Sequence, residues 1–254
     1  MRVSCIRTGL VRGKRAERGI RRYMWRGWSE AHLPVNAFAI EHPEGVCLFD
    51  AGQTARAAAP GYISRWHPFL RLARFELGPR DEAVAQLQAV GIAPSDVRWV
   101  ILSHLHTDHA GGLAPFAGCE VLVTRTEWER ATGLGGRLRG YLPQHWPAGL
   151  QPRLLDFNGP PLGPFAASLD LAGDGLLVVV PTPGHTPGHA SLLVRGREHS
   201  YLCAGDLVKT AGELTRVWPE LASFCEREGI VVLAAHDARA AEVLGVRPTR
   251  DAIR

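Results

Sequence analysis

The most informative stretch of the sequence is Ser103-His104-Leu105-His106-Thr107-Asp108-His109-Ala110-Gly111-Gly112. It places three imidazoles and one carboxylate within six consecutive positions, directly behind a short apolar strand predicted at residues 99–102. In an extended or turning loop, His104 and His106 point the same way, because alternate side chains share a face. Imidazole nitrogens and carboxylate oxygens are good ligands for zinc and similar divalent metals. The pattern HxHxDH therefore favours a metal site over a polar surface loop.

Three further candidate ligands, His185, Asp206 and His236, each lie just behind another predicted strand. Prolines and glycines around His185 fix the shape of its loop, which suits a ligand held in place before a metal binds. Asp206 can bridge two ions, because a carboxylate has two oxygens. His189 fits better as a residue that orients a ligand than as a ligand itself. Because strand ends of a rigid sheet are where sites are usually built, this repeated placement predicts one shared metal centre.

The remaining pattern alternates strands and helices. Strands are predicted at residues 35–41, 46–50, 99–102, 121–124, 176–180, 191–194, 201–204 and 230–235, and helices at 81–90, 126–131 and 218–228. Residues 55–80 and 133–165 are rich in glycine and proline and are predicted as irregular excursions, which often carry function. Residues 12–30 mix arginine with aromatic residues and are predicted to form a short helix or an arm.

Composition limits the class of protein. The chain has 254 residues, of which 46% are hydrophobic and 21% charged, as in an ordinary globular protein. We predict a single domain over residues 1–254 with a basic N-terminal arm at about residues 1–30. That arm holds nine basic and two acidic residues. Because no nucleic-acid-binding motif accompanies this charge, a solvated face or an oligomer arm is favoured over nucleic-acid or membrane binding. No apolar run approaches the roughly 18–20 residues of a membrane span.

The cysteines are scattered singly, with no CxxC pair, at Cys5, Cys47, Cys119, Cys203 and Cys225. This distribution predicts reduced and mostly buried thiols in a cytoplasmic protein. A redox or thiolate–metal role is the alternative.

The series of motifs resembles that of the metallo-β-lactamase superfamily over essentially the whole chain. The resemblance implies an α/β (α+β) fold, a four-layer αββα sandwich with metals at one edge of its two packed sheets. It also implies two divalent metal ions, with zinc the expected metal. One would be held by His104, His106 and His185, and the other by Asp108, His109 and His236. Asp206 and a hydroxide would bridge the two ions, the hydroxide would attack the substrate, and Asp108 would pass a proton to the leaving group.

Within the superfamily, the sequence is most similar to the N-acyl-homoserine lactonase-like group. The similar stretches are Leu33-Pro34-Val35-Asn36-Ala37-Phe38, Leu48-Phe49-Asp50-Ala51-Gly52-Gln53 and the HxHxDH loop. Such enzymes open a lactone ring and are said to quench quorum signals, which implies a small ester or lactone substrate here. The resemblance is also compatible with a homodimer formed through the N-terminal arm.

One position departs from that group, whose members usually have a tyrosine three residues after the bridging aspartate. Here that position is Lys209. Its ammonium could contact the substrate carbonyl as a point charge, indicate an anionic substrate, or simply be solvated.

An acyl-chain pocket is a further hypothesis, with Trp25, Trp28, Trp66 and Phe69 as its candidate lining. The alternative is that these aromatic residues belong to a core or a dimer interface. Three other functions stay open at this point: a phosphotriesterase- or esterase-like hydrolase on the same site, a nucleic-acid-processing enzyme, and a metal-binding protein without turnover.

Overall fold

The computed structural model describes residues 1–13, 31–64, 66–67 and 73–245. In this part of the chain the strands are β1 (Val3–Gly13), β2 (Leu33–His42), β3 (Gly45–Phe49), β4 (Ala73–Glu76), β5 (Val97–Ile101), β6 (Glu120–Thr124), β7 (Arg153–Leu155), β8 (Leu169–Asp170), β9 (Leu177–Pro181), β10 (Ala190–Arg195), β11 (Ser200–Gly205) and β12 (Ile230–Ala234). The α-helices are α1 (Ala83–Ala89), α2 (Thr107–Ala110), α3 (Arg125–Thr132), α4 (Leu214–Val217), α5 (Pro219–Arg227) and α6 (Ala240–Val243).

The first sheet has the strand order β4-β1-β2-β3-β5-β6-β7. Its β4, β1, β2 and β3 are antiparallel neighbours, and β2 and β3 form a hairpin that closes where His42 pairs with Gly45. From β3 through β5 and β6 to β7 the strands run parallel. Parallel neighbours need long crossover connections, so α1 lies between β3 and β5, and α2 between β5 and β6.

The second sheet has the order β12-β11-β10-β9-β8. Its strands are antiparallel except for the pair β11 and β12, which is parallel. The connection between those two strands contains α4 and α5. Both carboxyl ends of this parallel pair therefore reach the same edge of the sheet.

The two sheets pack face to face, and helices cover their outer faces. One buried cluster joins residues of both sheets, including Phe38 and Phe49 from the first and Val179 and Leu192 from the second. A second cluster packs the outer face of the first sheet against α1 and neighbouring turns, and a third packs the outer face of the second sheet against α4 and α5. The predicted four-layer αββα sandwich is confirmed.

Most predicted strands and helices match the structure within a few residues, but the N-terminus differs. Val3–Gly13 is strand β1, inside the first sheet and paired on both sides, rather than the start of an arm. Residues 14–30 lie outside the described residues, and so do the helix-or-arm prediction for them and the pocket candidates Trp25, Trp28 and Phe69. Among the described residues, no helix is both long enough and apolar enough to cross a membrane.

The excursion predicted at residues 133–165 is only partly a surface segment. It contains β7, and Tyr141 and Leu142 within it are each only 1% exposed. Tyr141 forms an isolated β-bridge with His106. This segment therefore packs against the HxHxDH loop.

Candidate metal centre

The seven side chains predicted as metal ligands meet at one edge of the sandwich. Donor atoms within 4.8 Å of one another form three groups: His104, His106 and His185; His104, His109 and Asp206; and Asp108, His109 and His236. All seven side chains follow the ends of four strands, namely β5, β9, β11 and β12, and two of them, Asp108 and His109, lie in the short helix α2. We call the first group the three-histidine half-site and the last the aspartate half-site.

In the three-histidine half-site, imidazole nitrogens converge on one point. The Nδ1 atom of His106 lies 3.0 Å from Nε2 of His104 and 3.0 Å from Nε2 of His185. Two nitrogens bound to one tetrahedral zinc at about 2.0–2.1 Å lie about 3.3–3.4 Å apart. The spacing of the three nitrogens therefore fits one small cation.

Asp206 lies between the two half-sites. Its Oδ1 atom is 3.3 Å from Nε2 of His109 and 3.2 Å from Nε2 of His236, both in the aspartate half-site. Its Oδ2 atom is 3.4 Å from Nε2 of His185, in the three-histidine half-site. Each carboxylate oxygen thus faces a different half-site, as a bridging ligand requires. Asp108 completes the aspartate half-site, with its Oδ2 atom 3.8 Å from Nε2 of His236.

Hydrogen bonds on the far side of the rings leave the inward nitrogens free to bind a cation. His109 Nδ1 lies 2.8 Å from Asp50, and His236 Nδ1 lies 2.7 Å from the carbonyl of Pro34. Because these oxygens accept hydrogen bonds, both Nδ1 atoms donate, and Nε2 is the ring nitrogen that offers a lone pair when the ring is neutral. His106 is turned the other way, since its Nε2 donates to the carbonyl of Arg139 at 3.0 Å.

The buried polar atoms of the site support a cation. The Nε2 atom of His109 and the Oδ1 atom of Asp206 are fully buried, and neither has a hydrogen-bond partner among the described residues. A buried polar group without a partner is costly, and few exist in native proteins. A divalent cation between these two atoms would satisfy both, so the residues present fit the metals that the sequence predicts.

The two half-sites differ in their affinity for protons. Burial and neighbouring imidazoles lower the pKa of His104 well below its usual range and that of His106 to about 4. Burial alone would lower the pKa of His109 and that of His236 too. Nearby carboxylates outweigh the effect of burial, so the pKa of His109 is raised well above its usual value and that of His236 is raised to about 9. Burial opposes the charge of Asp206, yet His236 and His109 hold its pKa well below the usual range.

His189 orients Asp206 instead of joining the cluster of donor atoms. Its Nε2 accepts a hydrogen bond from the backbone N–H of Asp206 at 3.1 Å, and its Nδ1 lies 2.8 Å from the hydroxyl of Thr182. Burial lowers the pKa of His189 to about 3, so the ring is neutral. This geometry agrees with the orienting role expected for His189.

Asp50 and Ser103 contribute to the site but were not predicted to do so. Asp50, behind β3, accepts hydrogen bonds from the backbone N–H and the hydroxyl of Ser103, at 2.7 and 2.9 Å, as well as from His109. Asp50 also has a φ of 62°, a left-handed conformation that costs energy in a residue other than glycine. The sequence signal that could have identified Asp50 is its position directly behind a predicted strand, in Leu48-Phe49-Asp50-Ala51-Gly52.

Two substrate-binding candidates lie within the described residues. Lys209 is exposed, and its backbone N–H donates to Glu213. Trp66 is 74% exposed and lines a surface cavity of about 690 Å³ together with residues between Ala57 and Ser64. None of the residues that line this cavity belongs to either half-site.

Two curated proteins show where the chain is similar in sequence. The N-acyl homoserine lactonase AttM of Azorhizobium caulinodans is 34% identical over 180 residues, which cover 66% of this chain and 62% of that protein. A probable metallo-hydrolase of Mycobacterium tuberculosis is 34% identical over 190 residues, which cover 72% of this chain and 59% of that protein. The chain thus matches about three fifths of the length of these relatives.

A solved structure and a family-wide comparison extend the similarity to nearly the whole chain. The crystal structure of an N-acyl homoserine lactone hydrolase with the product N-hexanoyl-L-homoserine aligns with a TM-score of 0.72 at 22% identity, covering 97% of both chains. At that identity the match shows the shared fold. Residues 32–247 match the family model of the metallo-β-lactamase superfamily. This chain belongs to the metallo-β-lactamase superfamily.

Proposed function

We propose that this protein is a dinuclear metal-dependent hydrolase that opens the ring of N-acyl homoserine lactones. The observation that carries the proposal is the placement of Asp206, whose two oxygens face different half-sites. Such a carboxylate is suited to hold two cations close together, the arrangement that many hydrolases use. The name of the relative that is 34% identical supports the lactone as the substrate class.

Seven residues would hold the two ions: His104, His106, Asp108, His109, His185, Asp206 and His236. Their nitrogen and oxygen donors, and the spacing in the three-histidine half-site, favour zinc. When bound, two such ions supply a water that ionises near neutral pH and a Lewis acid that polarises the lactone carbonyl.

The residues of the chain have separate tasks in the proposed reaction. Water adds to the carbonyl carbon, the ring C–O bond breaks, and the leaving oxygen takes a proton to become a hydroxyl. Asp108 is the proposed proton carrier, because its carboxylate is mostly but not fully buried and lies beside His236. The network of Asp50 and Ser103 holds the neighbouring ring of His109 in one orientation, so the site needs little rearrangement during the reaction.

A hydrolase for anionic esters is the second candidate. The observation in its favour is Lys209, an exposed cation three residues after Asp206. An ammonium attracts a negatively charged substrate more strongly than a neutral lactone.

We also propose a cytoplasmic location, which the five free thiols support, since such thiols persist in a reducing compartment.

The experiment is a matched pair of measurements on one purified sample. Elemental analysis gives metals per chain, and proton release follows ring opening of a short-chain and a long-chain N-acyl homoserine lactone. We expect about two metals per chain and turnover of at least one lactone. Two metals without lactone turnover would reject the lactone and direct the search to phosphotriesters and anionic esters. Absence of bound metal after incubation with zinc would reject the metal centre itself.

A further inference from the structure

Glu127, in the first turn of α3, is a carboxylate with no exposed surface. Acidic side chains are almost never fully buried unless they are paired. Its backbone N–H donates to the hydroxyl of Thr124, the residue that caps the helix. The capped N-terminus of the helix therefore fixes the position of the Glu127 backbone, from which the side chain extends.

Both carboxylate oxygens of Glu127 bind loops that carry metal-binding candidates. Oε1 accepts a hydrogen bond at 3.1 Å from the backbone N–H of Leu105, which lies between His104 and His106. Oε2 accepts one at 2.7 Å from the hydroxyl of Thr186, the residue after His185. One buried carboxylate thus connects the two loops that build the three-histidine half-site.

A third contact runs through Tyr141. Burial and the Glu127 carboxylate raise the pKa of the Tyr141 hydroxyl, and Arg130 opposes them. The Tyr141 ring lies against the His106 imidazole, with centroids 5.1 Å apart. The ring of His106 therefore packs against a residue that interacts electrostatically with Glu127.

The backbone around Glu127 is packed too closely to shift. A Cβ atom added to Gly188 would lie 2.2 Å from the backbone nitrogen of Glu127, so only glycine fits there. The carbonyl of Gly188 also accepts a hydrogen bond from Thr124. The loop that follows His185 is thus held directly against the start of α3.

The aspartate half-site has its own supporting carboxylate. Asp50 accepts a hydrogen bond from His109, whereas Glu127 contacts the loops of His104, His106 and His185. The two supporting carboxylates come from different layers, since Asp50 follows a strand and Glu127 belongs to a helix. Asp50 also reaches His104 through the Ser103 hydroxyl, which lies 2.9 Å from Nδ1 of His104, whereas both hydrogen bonds to the Glu127 carboxylate come from the loops of the three-histidine half-site.

We propose that Glu127 is a positioning residue for the three-histidine half-site, which it stabilises both by fixing its two loops and by placing a buried negative charge near the bound cation. The proposal rests on the proposed metal centre. Charges interact strongly in a poorly solvated interior, and groups that orient metal ligands typically contribute 10–100-fold to affinity. Loss of the charge at Glu127 therefore weakens one metal site and spares the other.

The test is a cobalt(II) titration of the full chain, followed by visible absorption and by competition with a chelator. Glu127→Gln keeps the size of the side chain and removes its charge. We expect one of the two sites to lose affinity on the order of 10–100-fold. The spectrum of the singly loaded variant should match that of His185→Ala, which damages the three-histidine half-site, and not that of His236→Ala. Glu129→Gln, an exposed residue on the same helix, is the control and should bind both ions like the wild type.

Each outcome decides between the proposals. A wild-type protein that binds no cobalt rejects the metal centre, whereas two bound ions in the wild type with unchanged binding in Glu127→Gln reject the role of Glu127 alone. Equal weakening of both sites also rejects that role, because it indicates general damage. If Glu127→Gln does not fold, the Thr186→Val variant tests the proposal in its place. It removes one hydrogen bond to Glu127, so it should weaken the same site several-fold, and unchanged binding would overturn the proposal.

Discussion

A substitution at Gly205, the last residue of β11, would test how rigid the metal centre is. Its φ of 51° is left-handed, and a Cβ atom added there would lie 2.7 Å from Nε2 of His189 and 2.7 Å from Cβ of Ser103. Neither neighbour is free to move, because His189 is held by Asp206 and Thr182, and Ser103 by Asp50. Gly205→Ala should therefore destabilise the protein and displace Asp206.

The size of the effect follows from two costs. A left-handed conformation costs a residue with a Cβ about 1–2 kcal/mol, and overpacking a tight interior costs about 1–3 kcal/mol. Their sum predicts that Gly205→Ala lowers the free energy of unfolding by about 2–5 kcal/mol. Gly229 is a matched control, with a φ of 62° and nothing within 4 Å of an added Cβ. Gly229→Ala carries the first cost alone, about 1–2 kcal/mol.

The assay is equilibrium unfolding in urea after metal removal, since a bound ion adds its own binding free energy to the stability of the folded state. Elemental analysis of the reloaded proteins then reports metal retention. We expect Gly205→Ala to lose more stability than Gly229→Ala and to retain less metal. Equal losses of unfolding free energy in the two variants would refute the argument, because they would mean that His189 and Ser103 can move away from the added Cβ at little energetic cost.

Three further outcomes are expected. Asp206→Asn should lose metal and activity together, because the amide cannot supply two anionic oxygens; normal metal content with full activity would remove the bridging role. Lys209→Ala should change substrate preference without loss of metal, and identical kinetics would make the lysine a solvated bystander. Calorimetry in buffers of different ionisation enthalpy should detect proton release when the aspartate half-site fills at neutral pH, because carboxylates raise the pKa of His109 and His236. Less release should come from His104 and His106, whose pKa values are lowered. Binding at the aspartate half-site should therefore strengthen as the pH rises towards 9, and equal release from both half-sites would contradict the argument.

The strands near the site were predictable because each is a short apolar run that ends at a glycine, a proline or a ligand. The hairpin of β2 and β3 and the parallel pair of β11 and β12 follow that pattern. Strand β1 was missed because arginines and glycines interrupt it, and its apolar alternation is clear only once both neighbouring strands are known. For the same reason, residues 3–13 were assigned to the predicted N-terminal arm and not to the sheet.

The metal-binding candidates were predictable because four of them lie in one motif and three lie directly behind strands. The residues that support them were not, since their roles depend on pairs far apart in the chain. Glu127 contacts Thr186 across 59 positions, and Asp50 contacts His109 across 59 positions. A carboxylate in a short helix, such as Glu127, has no local signal that separates a buried support from a solvated surface charge.

Asp50 contributes to the difference between the two half-sites, because it is one of the carboxylates that raise the pKa of His109. Both half-sites share Asp206, but nearby carboxylates raise the pKa of His109 and His236, whereas burial and neighbouring imidazoles lower the pKa of His104 and His106. This difference arises mainly from Asp206 and Asp108, which belong to the predicted ligand set, together with Asp50 beside His109. We therefore expect the affinity of each half-site to depend on its supporting carboxylate, Asp50 or Glu127, as well as on the ligands themselves.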